Sequence, residues 1–269
     1  MNDIALLVLF LFSGYITGIF IGMLGIGGGI AFVPLLYLLL PFTDIDPSQI
    51  SYIVIATSLF AGVFGTLSSA GKHLYSRNIE VRKAVLLGMG SIFSASVSPF
   101  LAVNIAQPVL QAVFGSIFLL VTIKMFMDNR GMNYGSLKDP LNDFYLFLFG
   151  LIIGAITGLA GIAGGILFVP ILVYLFLVDF KKAIGTSALV TVFTTVTSSI
   201  SYALISPKGF VVPNQIGYIY LISGIPLGLG SALGAISGVK FVLNSAAGTV
   251  KKVFLVLLLL VSLKIVFNL

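Results

Sequence analysis

The chain has no cysteine, no tryptophan and a single histidine, His73. Without cysteine there is no disulfide, no thiolate nucleophile and no thiolate metal site. With one histidine there is no multi-histidine metal centre. Charge is equally scarce: 8% of the 269 residues are charged, against about 25% in a soluble domain. General acid–base chemistry has few groups to draw on, so neither an enzyme nor a cofactor is expected. What remains is apolar. Hydrophobic residues make up 59% of the chain, and the mean hydropathy is +1.18. The expected fold class is therefore an all-α polytopic membrane protein, since no stretch is long and polar enough for a soluble domain. The net charge of +6 is read as an orientation signal of membrane loops, not as a nucleic-acid patch. The opening "MNDIALLVLFLF" lacks a basic n-region and reads as a retained helix, not a cleaved signal peptide.

Glycine, by contrast, is plentiful, and it is arranged. "GMLGIGGGIAFVPLL" (Gly22–Leu36) recurs 136 residues later as "GLAGIAGGILFVPIL" (Gly158–Leu172), with Ala163 in place of Gly27. Further on, "ATSLF" (Ala56–Phe60) answers "GTSAL" (Gly185–Leu189) at an offset of 129, the first copy having the longer loop "PFTDIDPSQIS". Two homologous halves follow, 1–127 and 141–269, joined by a cytoplasmic linker at 128–140 and together forming one transport domain. Duplicated halves are the usual plan of secondary transporters. Each half contains a long apolar segment (4–24, 141–160) and a short one (30–40, 166–178). Three full spans complete each: 47–70, 82–103 and 108–127, then 182–205, 212–240 and 249–267. Gly224 and Pro226 are expected to bend the long span 212–240.

The short segment could continue its partner as one bent span or turn back as a re-entrant half-helix. The 14 basic residues discriminate between these readings. A re-entrant segment inverts the two halves and puts both termini outside. Only Lys208 and Lys264 then fall outside, with the other twelve in the cytoplasm. The bent-span reading leaves Lys181, Lys182, Lys240, Lys251 and Lys252 outside instead. The positive-inside rule favours inverted repeats.

Inversion gives the glycines a purpose. Irregular backbone at membrane depth survives where it is buried in protein or lines a cavity. Half-helices beginning near Ile30 and Ile166 would aim free N–H groups and a positive dipole end at the membrane interior, and helix N-termini bind anions. Candidate substrate-binding residues are Gly27, Gly28, Gly29 and Ile30 in the first half, and Gly164, Gly165 and Ile166 in the second. The pairs Thr57/Ser58 and Thr186/Ser187 join them because they recur after both motifs. The competing reading is packing: Gly18/Gly22 and Gly154/Gly158 fit the GxxxG pattern that lets helices touch. The hydroxyl stripe Ser187, Thr191, Thr194, Ser198 and Ser201 follows one helix face and is also read as small-residue packing. His73, within "GKHLYSRNIEVRK", is read as part of a solvated basic loop. The partners expected are the lipid bilayer, a small anionic substrate and a coupling proton; oligomeric state is left open.

The doubled glycine motif, each copy followed by a Thr-Ser pair, resembles the sulfite exporter TauE/SafE family of membrane anion permeases. The resemblance covers nearly the whole chain. It implies transport of small anions of sulfur or of organic acids, such as sulfite or an organosulfonate, across a bacterial or archaeal cytoplasmic membrane, and export of a sulfur-containing anion is the expected activity. An anion channel, or a permease for a non-sulfur organic acid, is the alternative.

Overall fold

The computed structural model describes residues 3–40, 50–103, 123, 127, 142–160, 165–207 and 213–267. Nine helices are built from them: α1 (Asp3–Leu24), α2 (Gly29–Leu39), α3 (Ile50–Tyr75), α4 (Val81–Ala102), α5 (Asp143–Ala160), α6 (Gly165–Tyr174), α7 (Phe180–Leu204), α8 (Leu221–Asn244) and α9 (Ala247–Phe267). Among the described residues, α1, α3, α4, α7 and α8 are long and apolar enough to cross a membrane. Large apolar side chains such as Phe12, Phe93 and Leu233 lie more than half exposed on these helices, as lipid-facing positions do. The predicted span 108–127 lies outside the described residues except for Ile123 and Met127.

One expectation is corrected. The span expected over 212–240 does not start as a helix. Gln215–Ile216 (β1) and Ile219–Tyr220 (β2) pair antiparallel, with Gln215 opposite Tyr220. Asn214 (φ 63°) and Gly217 (φ 54°) supply the positive φ angles around this hairpin. The helix begins only at Leu221, which places Gly224 and Pro226 in its first two turns. Pro226 lies inside this helix, where it removes one backbone hydrogen bond.

Helix directions follow from which residues meet. On α1, a Cβ at Gly14, Gly18 or Gly22 would strike Leu227, Ser231 or Ala235 of α8. The numbers rise together, so the two helices run parallel. In the other pairing, Gly150 meets Leu87 and Gly154 meets Ser91, so α5 and α4 run parallel too. The two contacts are copies: 14 and 150 differ by 136, 87 and 227 by 140. "LGMGS" (Leu87–Ser91) thus matches "LGLGS" (Leu227–Ser231). Each first helix therefore packs on a helix of the opposite half, glycine to backbone, over several turns. This is the close approach that small residues allow. It accounts for Gly18, Gly22, Gly154 and Gly158 as packing residues.

The same logic fixes the rest. Ser231 Oγ reaches Ala61 O and Ser68 Oγ reaches Ala232 O, so α3 parallels α8. Glu80 meets Lys182 and Ser201 meets Ser96, so α4 parallels α7. Between the groups the direction reverses. His73 lies against Gly185, while Thr66 Oγ1 is 3.3 Å from Thr195 Oγ1, so α3 and α7 are antiparallel. Thr66 and Thr195 occupy matching positions 129 apart, so each meets its own counterpart where α3 and α7 cross. Two apolar cores flank this crossing. Phe32, Leu36 and Leu40 pack with Ile53, Leu59 and Tyr218 in one; Phe168, Leu172 and Phe176 pack with Leu87, Ile184 and Phe254 in the other.

Candidate functional site

The first glycine motif is a break between two helices. α1 ends at Leu24, and Gly25 takes φ +64°, its N–H still donating to Ile21 O at 3.0 Å. A left-handed glycine after the last helical residue is a common way to stop a helix. Here it has a second duty, because a Cβ at Gly25 would lie 2.3 Å from Ile184 O. Positive φ is not what Gly28 is for: it caps α2 at φ −63° with no side-chain cap. It lies where a Cβ on Gly62 would come within 3.3 Å of the Gly28 amide nitrogen. The start of α2 thus sits beside the middle of α3. Leu40, at the other end, shares a core with Ile53, so α2 runs back along α3.

The second motif meets the first. A Cβ on Gly165 would come within 2.2 Å of Gly25 O and 2.4 Å of Ile26 Cα. The starts of α2 and α6 therefore approach the same break. Gly27, Gly28 and Gly29 are buried there. Ile166 is 2% exposed in the core around α6. Gly164 lies outside the described residues, as does the side chain of Ile30. The first N–H groups of each half-helix have no acceptor within it. Among the described residues, no lysine, arginine, aspartate or glutamate is buried; the buried titratable side chains are His73 and tyrosines such as Tyr202 and Tyr218. No group of three or more acidic, histidine or cysteine side chains suited to a metal occurs among them either. An anion here would be held by N–H groups and dipole ends without a counter-charge.

The recurrent hydroxyls reach backbone. Ser187 Oγ donates to Gly25 O at 2.9 Å, with Gly165 O at 3.4 Å, tying α7 to both motifs. Thr191 Oγ1 also approaches Gly25 O, at 3.4 Å. Ser58 Oγ donates to Ile55 O at 2.8 Å in its own helix. The two threonines have matched tasks. Thr57 Oγ1 accepts from Tyr220 N at 3.0 Å, and Thr186 Oγ1 accepts from Glu80 N at 3.0 Å. Tyr220 and Glu80 immediately precede α8 and α4, so each threonine satisfies a backbone donor where a helix of the opposite half begins. Along α7, Thr194, Ser198 and Ser201 also reach backbone carbonyls, which is the packing role expected of the stripe.

His73 is a correction. It lies in the last turn of α3 and is fully buried, not part of a solvated loop. The basic residues around it in sequence hid this: Lys72 is partly exposed and Arg77 lies in the turn after the helix at φ 53°. The packing of α7, which brings Gly185 against the ring, together with Asn78 beside Nδ1, removes His73 from water. Only the packing shows the role of the "LGxGS" repeat of α4 and α8, whose Gly90 and Gly230 face the backbone of Phe147 and Leu11.

The family model described as sulfite exporter TauE/SafE matches residues 10–265. A probable membrane transporter protein of Methanocaldococcus jannaschii is 32% identical over 234 residues, covering 85% of each chain. One from Haemophilus influenzae is 25% identical, covering 96% of this chain and 97% of its own. Another, from Bacillus subtilis, is 21% identical over 97% of both. No solved structure matches the chain.

Proposed function

The chain is a multi-pass membrane transporter of the sulfite exporter TauE/SafE family, and on that premise we propose that it exports a small sulfur-containing anion. Sulfite or an organosulfonate is the proposed cargo, crossing the cytoplasmic membrane by secondary transport. The observation that carries this reading is the approach of Gly165 to Gly25 and Ile26. It draws two half-helix starts together where no buried acid or base is described. The proposed cradle consists of the N–H groups of Gly27, Gly28, Gly29 and Ile30 with those of Gly164, Gly165 and Ile166. Ser58 and Ser187, beside Thr57 and Thr186, shape it by holding the adjoining backbone.

The proposed topology is a pair of inverted repeats with both termini outside, and with α2 and α6 re-entrant. Two independent features support it. Helices α1, α3 and α8 run one way and α4, α5 and α7 the other, and twelve of the 14 basic residues then fall inside. Opposed repeats around a central site allow each end to open in turn. The test is flux in proteoliposomes loaded with sulfite or sulfonates. Saturable flux with counterflow is expected. Fast non-saturating flux would identify a channel, and no flux with any of these anions would overturn the cargo assignment. Acceleration by a pH gradient is expected if a proton is the coupling ion.

A further inference from the structure

The two glycine ridges are not equally complete. In the first, α1 and α8 answer each other along their whole contact. A Cβ on Gly14, Gly18 or Gly22 would strike the carbonyl oxygen of Leu227, Ser231 or Ala235, and one on Gly230, Gly234 or Gly238 would strike that of Leu11, Tyr15 or Ile19. Each glycine Cα thus lies against a facing carbonyl, where a weak C–H···O bond forms. In the second ridge the pattern holds only as far as Gly90. Gly150 faces Leu87 O and Gly90 faces Phe147 O. Beyond them, α4 has Ser94 and Ser98 where α8 has Gly234 and Gly238, 140 residues on. Their hydroxyls are wedged against Gly154 and Gly158, and the atoms nearest a Cβ on Gly158 belong to the side chains of Ser98 and Pro99, not to a carbonyl.

Those hydroxyls gain little from their places. Ser98 is 2% exposed, and its Oγ has no hydrogen-bond partner. Ser94 Oγ lies 3.4 Å from Gly90 O and from Ser91 O, both in its own helix. Pro99 comes next, where α8 has Val239. Proline has no N–H, so Ala95 O loses the donor that a regular helix supplies. Ser198 Oγ of α7 stands 3.5 Å from that carbonyl. Towards α7 the tail of α4 is better held, Ser201 Oγ donating to Ser96 O at 3.0 Å. The tail is therefore interrupted at Pro99 and lacks the glycine ridge only on the side of α5. A buried hydroxyl without a partner calls for an explanation, and water admitted between α4 and α5 would satisfy Ser98.

We propose that residues 95–102 of α4 are the moving gate at this end of the protein, outer in the topology above, and that α1 with α8 is the post that stays still. The gate parts from α5 at Gly158 and hinges in the turn between Ala95 and Pro99. Opening brings water to the end of α5, next to the second glycine motif. This rests on the transporter reading above, but its test needs no substrate.

Because the chain has no cysteine, Thr157→Cys and Thr17→Cys each give a single reporter. Thr157 is fully buried and shares one face of α5 with Gly154 and Gly158; Thr17 is 5% exposed and shares one face of α1 with Gly14 and Gly18. Their reaction rates with a small thiol reagent are read in nanodiscs, where both faces are open to solvent. The triple change Ser94→Gly, Ser98→Gly and Pro99→Val gives α4 the residues that α8 carries at the matching positions. It should slow labelling of Thr157→Cys about fivefold, the size set by one net hydrogen bond, and leave Thr17→Cys unchanged. Pro99→Ala alone, which returns a donor to Ala95 O, should also slow Thr157→Cys, and it decides should the triple variant fail to fold. An unchanged or faster Thr157→Cys overturns the proposal, as does equal slowing at Thr17→Cys. A parent chain that carries no anion in the flux assay would count against the transporter reading and leave these rates standing.

Discussion

The two halves of this protein carry nearly the same glycine motif, and two neighbouring positions of that motif, one from each half, meet different surroundings. A Cβ on Gly28 would strike the Phe32 ring, at 2.2 Å, which is a side chain able to turn away. A Cβ on Gly165, next in line after the counterpart of Gly28, would strike the backbone of Gly25 and Ile26. Elsewhere the halves agree closely. Gly90 lies against Phe147 O and Gly230 against Leu11 O, each 2.1 Å from a built Cβ. Thr57 and Thr186 make the same bond to the same place in opposite halves. The comparison teaches that the helix-to-helix ridges at Gly90 and Gly230 and the helix starts repeat from half to half, while crowding at the central break varies from position to position.

Substitutions in the frame should have the largest effects and the same size in both halves. Gly90→Val and Gly230→Val force a branched side chain into facing backbone, where neither helix can yield. Each is expected to destabilise by roughly 3 kcal/mol, at the upper end of overpacking costs. Thermal unfolding in detergent would measure both. A large difference between them would break the symmetry of the frame.

At the break the two described glycines should part company. Gly165→Ala meets backbone and should cost about 2 kcal/mol, whereas Gly28→Ala needs only rotation of Phe32 and should cost under about 1 kcal/mol. Comparable losses would mean the two positions are equally crowded, against the geometry. Flux measured on the same proteins would sharpen the result, because a folded Gly28→Val that no longer transports points to a ligand-facing turn.

The threonine caps offer a finer test. Thr57→Val and Thr186→Val keep shape but leave the N–H of Tyr220 or Glu80 without its acceptor. A cost of roughly 1–2 kcal/mol is expected for each. The Tyr220 contact is wholly buried and the Glu80 contact part-buried, so Thr57→Val should be the more damaging, as chemical denaturation would show. The smallest effect belongs to a contact that one half alone possesses. Lys182 Nζ and Glu80 Oε1 are 2.9 Å apart with side chains 44% and 39% exposed; Tyr220 stands at the position matching Glu80. Lys182→Met should change stability by no more than about 0.5 kcal/mol, and added salt should shrink the difference further.

Much of the architecture was legible because membrane helices announce themselves by length and composition. The bounds of α1, α3, α4 and α7 fall within about five residues of the expected spans. The hairpin at 215–220 was not, since Ile216, Tyr218, Ile219 and Tyr220 are apolar enough to extend a helical run. What makes them a hairpin is pairing, Gln215 with Tyr220 and Ile216 with Ile219. The candidate site was legible as two motifs and a recurrent Thr-Ser pair. Sequence spacing did not reveal that Thr57 and Thr186 point across to the opposite half, because a helical face can be computed but not its neighbour.

The sequence by itself determined that this chain lives in a membrane, is built from a doubled unit and breaks its helices at glycine. Those properties depend on composition and on local backbone preference, which each segment carries alone. Only the tertiary structure decided what each first helix packs on, which glycine carries the positive φ, and whether a polar side chain is wet or dry. Gly25, not the triplet after it, takes the left-handed turn, and His73 is buried despite its basic neighbours. These outcomes depend on atoms brought together from more than a hundred residues apart, such as His73 and Gly185. Burial and close approach are properties of pairs of surfaces, and no single segment contains both.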